Sequence, residues 1–513
     1  MKKLIILFLL LSFCLFYTFS QQDQYEIISE QKIEYRDVNS VYYHSPTSVV
    51  SYQQIVEDID NLKYLLKTCY AGYEDALARG LDLEKFEQNI LSEFSNSIYD
   101  RNSISTDKIC DVVYNELKNF IIDSHFTLYS LNSHYSLCTR NRILYSNIYV
   151  REKNGKYFVV ESDIPEIKKK SEFTGSKENL FLYPAKGKNI FRVGFTKTIE
   201  SSAENDYIEN EIELSFNNEN KKVLIKTYDS IKNTKIFFGK QETKDTGYLS
   251  LSTFDLPDVK SNFRKYAERS FEKYINSSVE LNNKKNVIID LRGNSGGNNY
   301  YSNKFLSSLY TNKILSDSEL QKTKLPKDEV NYTEVYNYSS PWIVATMNNY
   351  FLQMGMADFI FPYIQSDMEN FKTEPKKIIR KWIDTSSEYI GECNFAGKVI
   401  IITDRNSASS SEDTIQLAKR LFGKNCYLVG ENSKGCFSYG NILPYQLPNK
   451  SLCLYVPSSI FMNYANSEYY NIEGIGFTPD YWSTNEDLLE TLVAITGDKS
   501  LRKVLHGIEV GLK

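Results

Sequence analysis

The chain has 513 residues, a mass of 59.5 kDa and a formal net charge of −5, with a sequence pI near 5.7. This length exceeds what one compact core needs, so about two to four domains are expected. The hydrophobic share of 42% and the charged share of 24% are those of a folded globular protein. The composition has no basic excess, which argues against a nucleic-acid partner.

Residues 1–20 have the layout of a secretory signal peptide. A positive start, Met1-Lys-Lys3, precedes an apolar run at 4–19 and the polar Gln21. Cleavage is predicted after Ser20. We therefore expect an exported protein that is periplasmic, on the outer surface or extracellular. Membrane attachment is expected only if Cys14 carries a lipid, and the bulky Phe13 before it argues against that modification.

The remaining chain is predicted to form three regions. Residues 21–139 are expected to be a helical domain, because apolar side chains recur there at three and four residues. The clearest run is Ile55, Ile59, Leu62, Leu66 and Cys69. Toward residues 120–129 the pattern becomes strand-like.

The second region, residues 140–245, is predicted to be a β-rich module, because short alternating stretches are separated by charged turns. The third, residues 246–513, is predicted to be an α/β core with a partly helical insertion at 300–395. Its apolar strands at 287–289, 399–402 and 427–429 lack polar alternation, which is typical of a buried parallel sheet.

A serine cluster follows the second of these buried strands. In Ser407-Ala-Ser-Ser-Ser-Glu412, Ser409 lies three residues before Glu412, and a helical pattern follows. Ser-x-x-Glu is a capping box, so Ser409 could serve only as a helix cap. A hydroxyl at a helix start also lies beside free N–H groups, which suit a developing oxyanion.

A glycine-rich loop follows the first buried strand, in Asp290-Leu-Arg-Gly-Asn-Ser-Gly-Gly297. No Gly-Lys-Ser/Thr and no Gly-x-Gly-x-x-Gly accompanies it, so a nucleotide site is weakly supported. Gly296 and Gly297 would let backbone N–H groups approach a substrate closely. Together the two loops predict acyl transfer by a serine hydrolase.

These two motifs, followed by Glu473-Gly-Ile-Gly-Phe-Thr-Pro-Asp480, resemble the C-terminal processing (tail-specific) and tricorn-type serine peptidase family. The resemblance mainly covers residues 245–485. It implies an α/β protease core of the ClpP/crotonase-like class, a helical N-terminal part and a β-rich module at the position of a PDZ domain. Residues 140–245 lack the glycine-rich carboxylate loop of such a domain, so recognition of substrate C-termini is not implied.

The resemblance implies roles for individual residues. Ser409 corresponds to the nucleophile, and the N–H groups of Ser410 and Gly296 to the oxyanion donors, with Gly297 as the second choice. Ser124-His125 resembles the Ser-His pair of the tricorn-like branch, where a late glutamate, here Glu473, orients the base. A neutral imidazole would need no large pKa shift to act near pH 7.

A second branch of the family uses a lysine as its base. Lys434 lies in Gly430-Glu-Asn-Ser-Lys-Gly435, which lacks the Phe-Gly of that branch, and Ser438 stands where its glutamine would be. The preferred hypothesis is therefore an exported serine endopeptidase with a Ser-His-Glu mechanism. The alternatives are a Ser409/Lys434 dyad and a non-catalytic relative that binds peptides.

No cofactor is expected, and no metal site is expected because the chain has no Cys-x-x-Cys. Peptides or proteins are the expected substrates, and homo-oligomerisation stays open. An esterase is a weaker candidate because no Gly-x-Ser-x-Gly is present.

Overall fold

The computed structural model describes residues 25–33, 45–95, 101–200, 208–228, 238–257, 261–322, 332–336, 376–384, 392–463 and 472–508. The predicted signal peptide and Cys14 lie outside these residues, as does much of the predicted insertion. Among the helices described, none has the length and apolar character required to cross a bilayer.

The helices fall into an N-terminal group and a C-terminal group. They are α1 (Tyr52–Cys69), α2 (Tyr73–Ala78), α3 (Leu83–Ser95), α4 (Thr106–Leu117), α5 (Arg264–Glu280), α6 (Tyr300–Thr311), α7 (Asp317–Lys322), α8 (Ser410–Phe422), α9 (Leu488–Thr496) and α10 (Leu501–Val504). Helix α1 begins with a capping box, in which Gln54 N donates to Ser51 Oγ and Ser51 N donates to Gln54 Oε1. All five apolar side chains predicted to share its face are buried.

The strands described run along the whole chain. They are β1 (Tyr25–Ile33), β2 (Val49–Val50), β3 (Ile104–Ser105), β4 (Asp123–Tyr129), β5 (His134–Leu137), β6 (Thr139–Lys153), β7 (Lys156–Glu161), β8 (Glu172–Phe173), β9 (Leu180–Leu182), β10 (Ile190–Glu200), β11 (Glu209–Phe216), β12 (Glu219–Lys226), β13 (Phe238–Glu242), β14 (Thr246–Leu251), β15 (Asn286–Asp290), β16 (Tyr332–Tyr336), β17 (Lys376–Asp384), β18 (Lys398–Thr403), β19 (Cys426–Gly430), β20 (Tyr439–Gln446), β21 (Cys453–Asn463) and β22 (Tyr481–Trp482).

The C-terminal region is built on a sheet of six strands in the order β13-β14-β15-β18-β19-β22. Strands β14, β15, β18, β19 and β22 are parallel, and β13 is antiparallel to β14. The three strands predicted from apolar runs are therefore neighbours in one sheet, which confirms the parallel α/β pattern.

Side chains that alternate along these strands bury both faces of the sheet. Val287, Ile289 and Ile401 pack with helices α5, α6 and α8, whereas Ile288 and Ile400 pack with α9 and α10. Burial on both faces explains why the strands are apolar without polar alternation.

The β-rich region forms a second sheet, in the order β12-β11-β8-β7-β6-β10-β9. One residue pair, Lys226 with Tyr145, also joins β12 to β6, so part of the sheet closes on itself. Its interior is apolar and includes Leu144, Val193 and Val223.

A third sheet has the order β1-β17-β16-β21-β4-β5, with β20 paired to β21. It joins strands that are hundreds of residues apart, as in the pairing of Cys453 with Tyr129. The N-terminal helices pack on it: Phe126, Leu128 and Leu454 share one apolar cluster with Ile55 and Leu62. This sheet holds β4, and with it the predicted Ser124 and His125, within the fold.

The Asp290 and Arg292 side chains of the glycine-rich loop have a structural role. Arg292 Nε donates to Asp290 Oδ1 at 2.9 Å, and its Nη2 donates to Asp290 Oδ2 at 2.5 Å and to Ile508 O at 3.0 Å. Tyr248 donates to the same carboxylate at 2.6 Å. This buried network ties the loop to the end of the described chain.

Replacing Arg292 by Ala should destabilise the fold strongly, since it leaves the buried Asp290 carboxylate without its charged partner. Breaking a buried ion pair in this way typically costs about 3–5 kcal/mol. Thermal unfolding of the purified variant measures the loss. Arg502→Ala is the matched control, because the Arg502–Glu490 pair is bidentate but exposed. Equal changes in the two variants would contradict a structural role for the Asp290–Arg292 pair.

Candidate active site

Parallel pairing of β15 with β18 brings the two predicted loops together at one end of the sheet. Asp290 is paired with Ile402, so the glycine loop and the serine turn leave adjacent strands side by side. Gly296 has a φ of 105°, and a Cβ built on it would lie 2.7 Å from Ser409 Cβ. Only a glycine allows this approach.

Ser409 occupies a strained turn between β18 and α8. Its φ of 54° and ψ of −122° are rarely adopted by a residue with a side chain, and such conformations cost about 1–3 kcal/mol. Ser409 N donates to Cys436 O at 3.0 Å and to Glu412 Oε2 at 3.2 Å. The Glu412 half of the predicted capping box is therefore formed.

The neighbouring serines of the cluster are engaged in structural hydrogen bonds. Ser407 Oγ donates to Leu291 O at 2.7 Å, and Ser411 Oγ donates to Asn294 O at 2.8 Å. Both serines are fully buried, whereas Ser409 is half-buried. Of these three hydroxyls, that of Ser409 is the one a substrate can reach.

The backbone N–H groups beside Ser409 differ in their availability. Gly296 N donates to Asn294 Oδ1 at 2.9 Å. Gly297 N and Ser410 N meet no acceptor within the part of the chain that the structure describes. The two residues are in contact, because Ser410 Oγ donates to Gly297 O at 2.5 Å. The free donor on the glycine loop is therefore at Gly297.

The buried Glu412 carboxylate joins the serine turn to the loop that follows β19. Besides Ser409 N, it accepts hydrogen bonds from Ser433 Oγ at 2.6 Å, Gly435 N at 2.8 Å and Cys436 N at 2.7 Å. Burial raises the pKa of Glu412 to about 7, although these hydrogen bonds oppose the shift. The loop geometry therefore depends on a carboxyl group that titrates near neutral pH.

Strand β4 brings Asp123, Ser124 and His125 to the same loop. Ser124 Oγ donates to Gly435 O at 2.8 Å, and Ser124 N donates to Glu473 Oε1 at 2.7 Å. Asp123 accepts hydrogen bonds from the backbone N–H groups of His125 and Phe126 at 2.8 and 3.1 Å. Ser124 thus connects three segments through hydrogen bonds.

The His125 side chain is 7% exposed, and neither ring nitrogen has a hydrogen-bond partner among the described residues. One ring nitrogen, a Glu473 oxygen and Cys436 Sγ all lie within 4.8 Å of one another. His125 and Glu473 are therefore neighbours, 348 residues apart in sequence (473 − 125). No hydrogen bond joins them within the described structure.

The expectation of an imidazole with a nearly ordinary pKa is wrong. Burial, followed by the positive charges of Lys434 and Arg140, lowers the pKa of His125 to about 3. The ring is therefore neutral across the physiological range, and a change of its charge cannot account for pH dependence near 7.

Glu473 is held by the backbone. Besides Ser124 N, Phe437 N donates to Glu473 Oε2 at 3.1 Å and Ser438 N donates to the same oxygen at 2.9 Å. Burial raises the pKa of Glu473, and burial together with the Glu473 charge raises the pKa of Asp123 well above its ordinary value. The site therefore contains closely spaced carboxyl groups with raised pKa values.

Lys434, the alternative base, lies in the same loop. The backbone N–H of Lys434 donates to Ser407 O at 2.8 Å, and this hydrogen bond fixes the loop to the serine turn. Burial and the charge of Arg140 lower the pKa of the Lys434 ammonium. A lowered pKa is the change that a lysine needs to accept a proton near pH 7.

Two residues of the site were missed by sequence reasoning. They are Cys436 and Arg140, and the sequence analysis singled out neither of them. Arg140 is the second residue of the long strand β6, and it lies one residue after the segment predicted to be helical. Neither residue stands in a motif, and nothing local in the sequence marks the proximity of Cys436 to His125 or the effect of the Arg140 charge on it.

Comparisons with solved structures find similarity over most of the chain at low identity. Mature CPAF complexed with lactacystin is 12% identical, with 90% of this chain and 98% of that chain covered and a TM-score of 0.42. A putative peptidase from Parabacteroides merdae is 13% identical, with 88% and 98% covered and a TM-score of 0.37. The photosystem II D1 C-terminal processing protease is 12% identical, with 88% and 99% covered and a TM-score of 0.35.

No curated protein matches the sequence. The model of peptidase family S41 matches residues 245–483. This range runs from the start of β14 to just beyond β22 and includes both paired loops, Lys434 and Glu473. The segment of residues 245–483, just under half of the chain, therefore resembles peptidase family S41, a family of serine-type peptidases.

Proposed function

We propose that the chain is an exported serine endopeptidase in which Ser409 is the nucleophile and His125 the general base. The observation that carries the proposal is the strained backbone of Ser409. A serine with a positive φ persists only where the surroundings enforce it, and such strain is concentrated at functional sites. Here the enforcing contacts come from Glu412 and Cys436.

The reaction requires a hydroxyl, a base and donors for an oxyanion. Ser409 Oγ attacks the substrate carbonyl while its proton passes to a ring nitrogen of His125. The carbonyl oxygen, now negative, accepts hydrogen bonds from Ser410 N and from the glycine loop. The protonated imidazole then gives its proton to the leaving amine, and water hydrolyses the acyl-enzyme by the reverse sequence.

For the second oxyanion donor we favour Gly297 over Gly296. Gly296 N already donates to Asn294 Oδ1, so a substrate oxygen would have to displace that bond. Gly297 N is unengaged among the described residues and belongs to an exposed glycine beside Ser410. The role of Gly296 is then steric, since any side chain there would collide with Ser409.

Glu473 is proposed to stabilise the imidazolium that forms during the reaction. A carboxylate within 4.8 Å of a ring nitrogen would favour the protonated ring, because burial of the ring weakens the screening of charge. Its three backbone donors would hold it in place. Ser124 contributes by positioning, since it bonds to both Glu473 and Gly435.

A Ser409/Lys434 dyad is the second candidate, and the lowered pKa of Lys434 supports it. The sequence around Lys434 departs from the lysine branch, so we rank it below His125. A non-catalytic relative that binds peptide in the same cleft is the third candidate, which the retained nucleophile and bases disfavour.

The remaining parts of the proposal come from the sequence. Export rests on the signal layout of residues 1–20, and membrane attachment on a lipid at Cys14. The ClpP/crotonase-like class of the core, the PDZ position of residues 140–245 and homo-oligomerisation are likewise proposals. So are the domain boundaries at 20, 139 and 245.

Ser409→Ala should abolish both peptide hydrolysis and labelling by a fluorophosphonate probe. Loss of a serine triad member typically lowers kcat by several orders of magnitude. Ser411→Ala is the matched control, because its hydroxyl is buried and should not react. Mass spectrometry of the labelled peptide identifies the reactive residue. Turnover of casein by the Ser409→Ala protein would refute the assignment.

His125→Ala should abolish hydrolysis, whereas Lys434→Gln should reduce it only partly. The second change removes a positive charge that lowers the pKa of His125, so the imidazole pKa should rise in that variant. Steady-state kinetics and NMR titration of the ring measure the two effects. An active His125→Ala protein beside an inactive Lys434→Gln protein would establish the lysine dyad instead.

The pH dependence of kcat/KM near neutrality should come from Glu412. As pH falls through about 7, this carboxylate takes up a proton and becomes a weaker acceptor for Ser409 N and Cys436 N. Activity should therefore decline on the acid side. Glu412→Gln mimics the protonated form, so it should be impaired at every pH and lose this decline. If that variant keeps the same acid limb, another group is responsible.

A further inference from the structure

We propose that His125, Cys436 and Glu473 form a binding site for one Zn²⁺ ion, and that zinc at this site switches off hydrolysis. The inhibitory part rests on the proposed function, because it requires His125 to be the base. The binding part depends only on the three side chains. They come from β4, from the loop after β19 and from the turn before β22.

The geometry suits a small cation. The three ligand atoms, a ring nitrogen, a thiol sulfur and a carboxylate oxygen, lie within 4.8 Å of one another. Zinc bonds of about 2.0–2.3 Å place tetrahedral ligands about 3.3–3.8 Å apart, so each atom would move inward by less than about 1 Å. Three protein ligands leave a fourth position for water.

The buried ring of His125 is the second observation that points to a ligand. Its two nitrogens are shielded from solvent and have no hydrogen-bond partner among the described residues. A buried polar atom without a partner is costly, and a metal ion would engage one of these nitrogens. Neutral imidazole, the form that low solvent access enforces here, is also the form that binds zinc.

Glu473 is already oriented for such a role. Its carboxylate accepts from the N–H groups of Ser124, Phe437 and Ser438, which lie outside the triad of ligands. Hydrogen bonds to a metal-binding carboxylate fix its direction and are a usual part of metal sites. Oxygen lone pairs remain, because each carboxylate oxygen can accept more than one bond.

The charges balance when the thiol loses its proton. Zinc displaces the Cys436 proton to solvent and forms a Zn–S bond, with no change of oxidation state. A neutral imidazole, a thiolate and a carboxylate then compensate the two positive charges of the ion. Lys434 and Arg140 face His125 and oppose the cation, whereas Asp123 and Glu412 lie near Glu473 and favour it.

Inhibition follows from the shared lone pair. A zinc-bound nitrogen of His125 cannot accept the Ser409 proton, and Cys436 is attached through its carbonyl to Ser409 N. Zinc would therefore remove the base and stiffen the loop next to the nucleophile. A chelator should restore activity, because no covalent change has occurred.

The binding test uses the full chain carrying Ser409→Ala, so that its result is independent of peptidase activity. Metal-free protein is titrated with zinc chloride against a chromophoric chelator, and by calorimetry in two buffers of different ionisation enthalpy. We expect one zinc ion per chain and release of about one proton from the thiol. Cys436→Ser in this background should weaken zinc binding at least about 100-fold. If the Cys436→Ser protein does not fold, His125→Asn serves as the ligand variant in its place.

Cys138→Ser is the matched control. Cys138 is a buried thiol near Glu473, but it is not one of the three ligands, and its Sγ donates to Thr139 O at 3.1 Å. Its replacement should leave zinc affinity unchanged. Absence of zinc binding at micromolar concentrations, or affinity that survives both ligand changes, would overturn the site.

The activity test uses the protein with Ser409 intact. Zinc should inhibit casein hydrolysis, EDTA should reverse the inhibition, and Cys436→Ser should resist it. Zinc binding without inhibition would overturn the switch while the site stands. A protein that binds zinc but hydrolyses no peptide with or without EDTA would refute the proposed function and leave the site established.

Discussion

Parallel hydrogen bonding between β15 and β18 is the constraint on which the site depends. Parallel neighbours end at the same edge of a sheet, so the loops that follow them emerge together. One loop is free of side chains at Gly296 and Gly297, and the other carries Ser409. Without this register, a hydroxyl and the glycine-loop donor would not share a cleft.

A second constraint is the number of buried carboxyl groups. Asp123 and Glu412 are buried and Glu473 is half-buried, and each accepts hydrogen bonds from backbone N–H groups. These bonds replace water for the charged forms, yet burial still raises all three pKa values. The carboxylates that accept the hydrogen bonds fixing the loops are therefore the groups in which burial favours the protonated form. Loop geometry and proton uptake are therefore linked.

The sequence predicted what local pattern determines. The apolar face of α1, the buried strands β15, β18 and β19, and the two loops were all visible in runs of a few residues. The sheet that holds β4 was not visible in such runs, because its pairings join Tyr129 to Cys453 and β1 to β17. Pairing over such distances is set by how whole layers pack, which no short window contains. The same reason hid Cys436 and Arg140.

The low pKa of His125 also could not be predicted from a short stretch of sequence, since it depends on burial and on charges from two other segments. His125 and Lys434 are electrostatically coupled, so a proton on either one lowers the proton affinity of the other. If Lys434 holds its proton, the imidazole is a weak base. Its proton affinity must then rise during the reaction, as negative charge develops on the substrate oxygen. If Lys434 is neutral, the imidazole becomes more basic. Which of His125 and Lys434 acts as the base therefore depends on both residues together and on the nearby carboxylates. A substrate that changes the hydration of these groups would change which residue accepts the proton.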